Sequence, residues 1–307
     1  MAVNRVAALL GVELPIIGAP MTYIAQAQLA AAVSNAGGLG VIETLSPEGR
    51  ADLLRVRALT DKPVAANINL LAVRDPAIVD VLVEAGIGCV TSSAGDPNLL
   101  TGVLHDAGIT VLHVVGTVRA AQKAVDAGVD GLVVEGVEGG GFKNKLGSST
   151  LVLLPTVAAR VDLPIVAAGG ICDARSMAAA LALGADGVQL GTRMLASVEA
   201  PVHPNFKQAI LDADDTGTIL ISTPGAPTMR VIRTATAERL ASGVQAGAGA
   251  LAEVQALYFE GDMEASVANT GQVAGRIDAI RPVAEILAEM WDGCIGALDD
   301  ARARLGR

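Results

Sequence analysis

The sequence predicts an α/β protein, a closed (β/α)8 barrel of the TIM type with a helical cap inserted after the eighth strand. Two observations carry that reading. From residue 15 to about 195, short Val/Ile-rich runs alternate with Ala/Leu-rich stretches of helical spacing, the pattern of a parallel sheet covered by helices. The joints repeat a small or apolar residue followed by glycine: Ala36-Gly37, Ala85-Gly86, Ala107-Gly108, Ala127-Gly128 and Leu183-Gly184. Glycine just past a helix accepts the left-handed backbone that closes a C-terminus.

In chain order the runs are PIIGA (15–19), LGVIE (39–43), VAANI (64–68), CVTSS (89–93), TVLHVV (110–115), GLVVE (131–135), PIVAA (164–168) and GVQLG (187–191). Eight runs suit a closed barrel. A doubly wound open sheet usually has five or six strands and a dinucleotide fingerprint after the first, which Gly18-Ala19-Pro20-Met21 is not. After GTR (191–193) the pattern changes. Residues 198–275 are more polar, contain Pro201, Pro204, Pro224 and Pro227, and include a small-residue stretch around Gly243 to Gly249. They read as a cap over the active-site rim, so the barrel comprises 1–197 plus 276–307, with a closing helix near 280–305.

Composition narrows the function classes. With 22 Lys plus Arg against 32 Asp plus Glu, the net charge of −10 argues against nucleic acid or an anionic membrane as partner. Hydrophobic residues are 51% and charged ones 18%, far from a disordered composition, and no apolar run reaches the ~18 residues of a membrane span. Aromatics are only 2%, so small aliphatics build the core. Cys89, Cys172 and Cys294 are odd in number and widely spaced, which suits buried thiols rather than disulfides or zinc. Glu13 interrupts the N-terminal apolar run and no small-residue cleavage site follows, so a cytoplasmic protein acting on a small molecule is expected. The apolar composition is compatible with a homo-oligomer.

In a barrel of this type the ligand lies at the C-terminal strand ends. Two ends are glycine-rich: Ala168-Gly169-Gly170-Ile171 after the seventh run and Gln189-Leu190-Gly191-Thr192-Arg193 at the eighth. Bare backbone N–H groups on adjacent strands favour a phosphate. After the sixth run comes Glu135-Gly136-Val137-Glu138-Gly139-Gly140-Gly141-Phe142, whose three consecutive glycines suit close backbone approach to a flat ligand. Asn67, polar among apolar neighbours, either satisfies buried backbone or reaches the ligand.

Taken together, PIIGAPM (15–21), NAGGLGVI (35–42), DKPVAANINLL (61–71), EGVEGGG (135–141) with KLGSSTLVLLP (145–155), AAGGI (167–171), GADGVQLGTR (184–193), HPNFK (203–207) and NTGQVAG (269–275) resemble the FMN-dependent family of nitronate monooxygenases, once called 2-nitropropane dioxygenases, and the flavin-type enoyl-acyl-carrier-protein reductases. The resemblance spans nearly the whole chain. It implies FMN across the barrel mouth, its phosphate at Gly169, Gly170, Gly191 and Thr192 with Gln189 nearby. The ring would lie near Ala19, Pro20 and Met21, with Asn67, Glu135 and Gly139 to Gly141 alongside and Gln272 reaching in from the cap.

One departure is informative. The family's loop usually reads Gly-Gly-His, and that His is its general acid/base; here the matching residue is Phe142, which cannot move a proton. No histidine is an obvious substitute. His105 suits a solvated helix face, His203 a helix cap, and His113 a satisfied core position more than the barrel mouth. Lys143 and Lys145 read as solvated lysines, with anion binding as the alternative. Phe142 either packs the loop on the cap or, with Tyr23 and Lys145, lines a pocket for a bulky hydrophobic substrate.

The leading expectation is an FMN-dependent oxidoreductase of nitronate monooxygenase type with an altered acid/base position. The alternatives are an NAD(P)H-dependent enoyl-thioester or quinone reductase, with solvent or Tyr23 supplying the proton, a flavin-binding protein without turnover, and a flavin-free phosphosugar-binding barrel.

Overall fold

A computed structural model describes residues 4–72, 77–222, 227–243 and 253–306. All eight runs are strands: β1 (Ile16–Gly18), β2 (Gly40–Glu43), β3 (Val64–Asn69), β4 (Cys89–Ser93), β5 (Thr110–Val115), β6 (Gly131–Glu135), β8 (Ile165–Ala168) and β9 (Gly187–Leu190). They form one parallel sheet in the order β1-β9-β8-β6-β5-β4-β3-β2. The first and second strands close the ring, since the Gly18 amide donates to the Leu39 carbonyl and the Leu39 amide to the Ile16 carbonyl, both at 2.9 Å.

Residues alternate along each strand between the barrel interior and the helix layer. Ile17, Val41, Ala65, Cys89, Leu112, Val133 and Val166 fill the interior. The alternate set, including Ile16, Ile42, Ala66, Val90, Val111 and Leu132, joins the larger cluster under the helices. The helix Arg5–Leu10 adds Val6 and Leu10 to the interior cluster. Asn4 caps this helix by accepting from the Ala7 amide, and its Nδ2 donates to the Asp186 carbonyl at the start of β9 at 2.7 Å. The five glycine joints all have left-handed φ, from +66° at Gly86 to +103° at Gly184. All three cysteines are buried and free.

The excursion after β9 is not purely helical. It holds a helix Pro204–Leu211, strands β10 (Thr218–Ile221) and β11 (Thr228–Ile232), a helix Ala235–Ala241 and a single π turn Ala256–Glu260. β10 and β11 form an antiparallel pair, and β11 also pairs with a short strand β7 (Gly141–Lys143) in the glycine-rich segment after β6. The cap is thereby hydrogen-bonded to the barrel mouth, with Phe142 opposite Met229 and Gly141 opposite Arg230. Pro224 and the stretch from 244 lie outside the described residues. The closing helix runs Val283–Arg304 and packs on helices Ala174–Ala182 and Ala27–Asn35.

Candidate active site

A cavity of about 430 Å³ opens at the C-terminal strand ends, a size typical of small-molecule sites. Its wall takes Ala19, Pro20 and Met21 from the turn after β1 and Asn67 from β3. Glu135 and Gly139 to Gly141 come from β6 and the loop behind it, and Gly169, Gly170, Gln189, Gly191 and Thr192 from the last two barrel strands. Three expected contacts are placed elsewhere. Gln272 is exposed and meets the site only through its backbone N–H, which donates to the Glu138 carbonyl at 2.9 Å, while Gly271 and Val273 line the wall. Lys145 is exposed and Tyr23 half-buried, and neither reaches the cavity.

The two glycine-rich ends are rich in free donors. Gly169 and Gly170 both take left-handed φ, +85° and +82°, so this turn requires glycine. The amides of Gly169, Gly170, Gly191 and Thr192 have no acceptor among the described residues. The Thr192 hydroxyl is already engaged, accepting from the Gly271 amide at 2.8 Å. Four backbone donors on one rim suit an anion with several oxygens.

Side-chain amides complete the polar part of the wall. Asn67 satisfies backbone and also faces the cavity: its Nδ2 donates to the Thr91 carbonyl at 2.7 Å. Gln189 is 7% exposed and its Oε1 has no partner, as is true of Asn269 Oδ1. A buried carbonyl without a donor costs about 1–3 kcal/mol, so both positions fit a ligand that donates hydrogen bonds.

The charged groups were less legible. Lys143 is not solvated, because its side chain is 4% exposed and its Nζ donates to Glu135 Oε1 at 2.6 Å. Alternation along β7 is the reason: Lys143 turns to the side opposite Phe142, which stays 57% exposed at the cavity edge. Packing of Phe142 into the cap core is therefore not seen. Glu138, within the glycine motif but given no role from sequence, accepts from the Thr150 amide at 2.9 and 3.0 Å and caps the helix Thr150–Ala158, whose own N-cap Ser149 makes no cap bond. Arg230 holds the same segment by donating from Nε to the Val137 carbonyl at 2.8 Å. Burial pulls the Arg230 guanidinium below its usual range, opposed by the nearby Glu138 charge. Tyr258 also lines the wall, stacked on Phe206 with centroids 5.5 Å apart, and burial pushes its phenol up to about 12.

No histidine lines the cavity. His113 is buried on the helix side of β5 with Nδ1 2.8 Å from Ser92 Oγ, and desolvation pushes it down to about 4. His203 caps the helix Pro204–Leu211. His105 pairs with Asp130 at the surface. Among the described residues no cluster of His, Cys, Asp and Glu is placed to hold a metal, and no helix is long and apolar enough to cross a membrane.

Fold and site define a (β/α)8 enzyme with a cavity of small-molecule size at the mouth of the barrel. The nitronate monooxygenase family profile matches residues 4–78 and 69–293. The chain belongs to the nitronate monooxygenase family and is an oxidoreductase, and the enzymes of this family use flavin. It is 34% identical over 244 residues to the (3aS,4S,5R,7aS)-5-hydroxy-7a-methyl-1-oxo-octahydro-1H-indene-4-carboxyl-CoA dehydrogenase of Mycobacterium tuberculosis, covering 78% of this chain and 68% of that protein. With the nitronate monooxygenase of Pseudomonas aeruginosa it shares 34% over 256 residues, covering 67% and 73%. Among solved structures, FabK from Thermotoga maritima superposes with a TM-score of 0.92 at 36% identity, covering 99% of this chain and all of that one.

Proposed function

We propose that this chain is an FMN-dependent oxidoreductase that takes its electrons from a bulky, hydrophobic organic substrate, and that Phe142 stands where its family carries a histidine base. The observation that carries the reading is the complementarity of the wall to FMN. Unpartnered amides at Gly169, Gly170, Gly191 and Thr192 match a phosphate, and the orphaned Oε1 of Gln189 matches a ring N–H donor. Ala19, Pro20 and Met21 give an apolar bed for a flat ring. When bound, FMN supplies the electron-accepting ring; the protein orients it and the substrate.

The chain's own residues set the rest. Phe142 presents an apolar edge at the mouth and holds no proton, so proton transfer by side chain 142 is absent. Tyr258, with its phenol pushed up to about 12, stays neutral and braces the wall. The cap excludes water from one side through the β7–β11 pairing. A relative that carries a fused-ring acyl-CoA in its name is consistent with a bulky substrate.

The test is the visible spectrum of the purified protein under anaerobic conditions. Flavin bands that persist with NADH or NADPH and bleach with a bulky alkyl nitronate are expected. Rapid bleaching by a nicotinamide would make the chain a reductase instead, and no flavin bands even after reconstitution with FMN would remove the reading altogether.

A further inference from the structure

We propose that the Lys143 ammonium, held in place by Glu135, is the substrate's oxyanion contact, binding a singly charged oxygen conjugated to the reacting carbon, as in a nitronate or an enolate. The inference rests on the FMN reading and adds a residue to it.

Lys143 is the sole cation on the cavity wall among the described residues. Its side chain is 4% exposed, so the charge is held out of bulk water. An ammonium carries three N–H donors. One goes to Glu135 Oε1 at 2.6 Å, and the others have no acceptor among the described residues. A buried ion pair gives little net stability, because desolvation offsets most of the attraction, so stability alone does not account for it. Its geometry does something more specific. Glu135 ends β6, Lys143 ends β7, and the bond between them fixes Nζ beneath the glycine turn: a Cβ on Gly139 would lie 3.0 Å from it.

The charge balance of the wall selects the ligand. A phosphate dianion at Lys143 would meet the Glu135 carboxylate bonded to it, whereas at the rim of four amides after β8 and β9 the neighbouring carboxylate, Glu138 beside Gly170, already accepts from the Thr150 amide and hydroxyl. A singly charged, delocalised oxyanion is repelled less and accepts the free N–H groups. In this role Lys143 stabilises charge through its N–H donors and is assigned no proton transfer with the substrate.

The experiment titrates the FMN-loaded protein with 4-chlorophenol, a non-reacting oxyanion source, and follows the flavin absorbance. Wild type is expected to bind the phenolate form with a new long-wavelength band. Lys143→Met should weaken this at least tenfold, and so should the double variant Glu135→Gln/Lys143→Met, which leaves no orphaned carboxylate to disturb folding. FMN affinity should stay within about threefold in Lys143→Met, which keeps Glu135 in the wall. Nitrate, a planar singly charged stand-in for a nitronate that donates no electrons to flavin, and the enolate of acetylacetone, as competitors, show which shape binds more tightly, and both should lose competition in the variants. Phenolate affinity unchanged in the double variant overturns the proposal. So does wild type that holds FMN without binding phenolate, and so does a parallel loss of FMN, which would make Lys143 a cofactor contact. Absence of FMN from reconstituted wild type would instead fail the underlying reading.

Discussion

Replacing Gly140 with alanine places a Cβ 2.9 Å from the backbone nitrogens of Thr270 and Gly271 and from the Thr270 carbonyl carbon. None of these is the end of a flexible side chain, so the glycine turn or the 270–271 segment must shift. Overpacking of this kind costs roughly 1–3 kcal/mol, and the loss of glycine's freedom in the unfolded chain offsets about 0.4–1 kcal/mol of it. A net loss of roughly 0.5–2 kcal/mol is expected for Gly140→Ala. Gly141 differs: an added Cβ meets nothing closer than Asn269 Cγ at 3.6 Å, but φ is +77°. Alanine there incurs about 1–2 kcal/mol of left-handed strain, whereas asparagine tolerates that region. Gly141→Asn should therefore be more stable than Gly141→Ala by roughly 1 kcal/mol. At position 140 asparagine should be no better than alanine, since both carry the Cβ. Equilibrium urea unfolding of the flavin-free proteins reads the four variants without the added stability of a bound ligand. Equal stability of the two 141 variants, or a Gly140→Ala protein as stable as wild type, would refute the reasoning.

Two further outcomes follow from the site and the core. The buried His113 is neutral in the fold and titrates at about 4, while the unfolded chain takes its proton near 6.5, so its contribution is fully present above pH 6.5 and lost as pH falls toward 4. That gap corresponds to about 3 kcal/mol. Urea midpoints at pH 7 and 4.5 should fall less in His113→Asn than in wild type, and equal falls would count against a neutral buried imidazole. Phe142→His restores a base at a half-exposed position, and anaerobic bleaching of bound flavin by a nitronate should accelerate about 10²-fold, the low end for a general base. Unchanged rates in rapid-mixing measurements would remove the lost-base argument.

The barrel was legible because its signals are local and repeated. Most strands are runs rich in branched aliphatics, five joints carry a glycine with left-handed φ, and the count of eight follows from reading the runs in order. The glycine-rich turns of the cavity wall were legible for the same reason, since Gly169-Gly170 and Gly191 follow two adjacent strands in plain sequence. The three-stranded sheet was not. β7 has three residues, too few for alternation to register, and its partner β11 lies some ninety residues away. The burial of Lys143 depends on that pairing and was missed with it. Glu138 was visible as a residue, but its acceptance of the Thr150 amide depends on how the loop folds back. Gln272 was assigned by its side chain, whereas the short 3-10 turn Gln272–Arg276 leaves only its backbone at the wall.

The pairing of β7 with β11 also sets an order of events during synthesis. Because β1 lies between β2 and β9, the ring of strands has all its members once Leu190 has been made. The mouth needs more, because Asn269, Gly271 and Val273 form part of the cavity and the Gly271 amide bonds to Thr192. Ligand capture therefore inspects the last third of the chain. A molecule can contain every barrel strand and still have an incomplete mouth, so ligand retention would report on whether the 269–273 segment has docked and not merely on whether the strands are present.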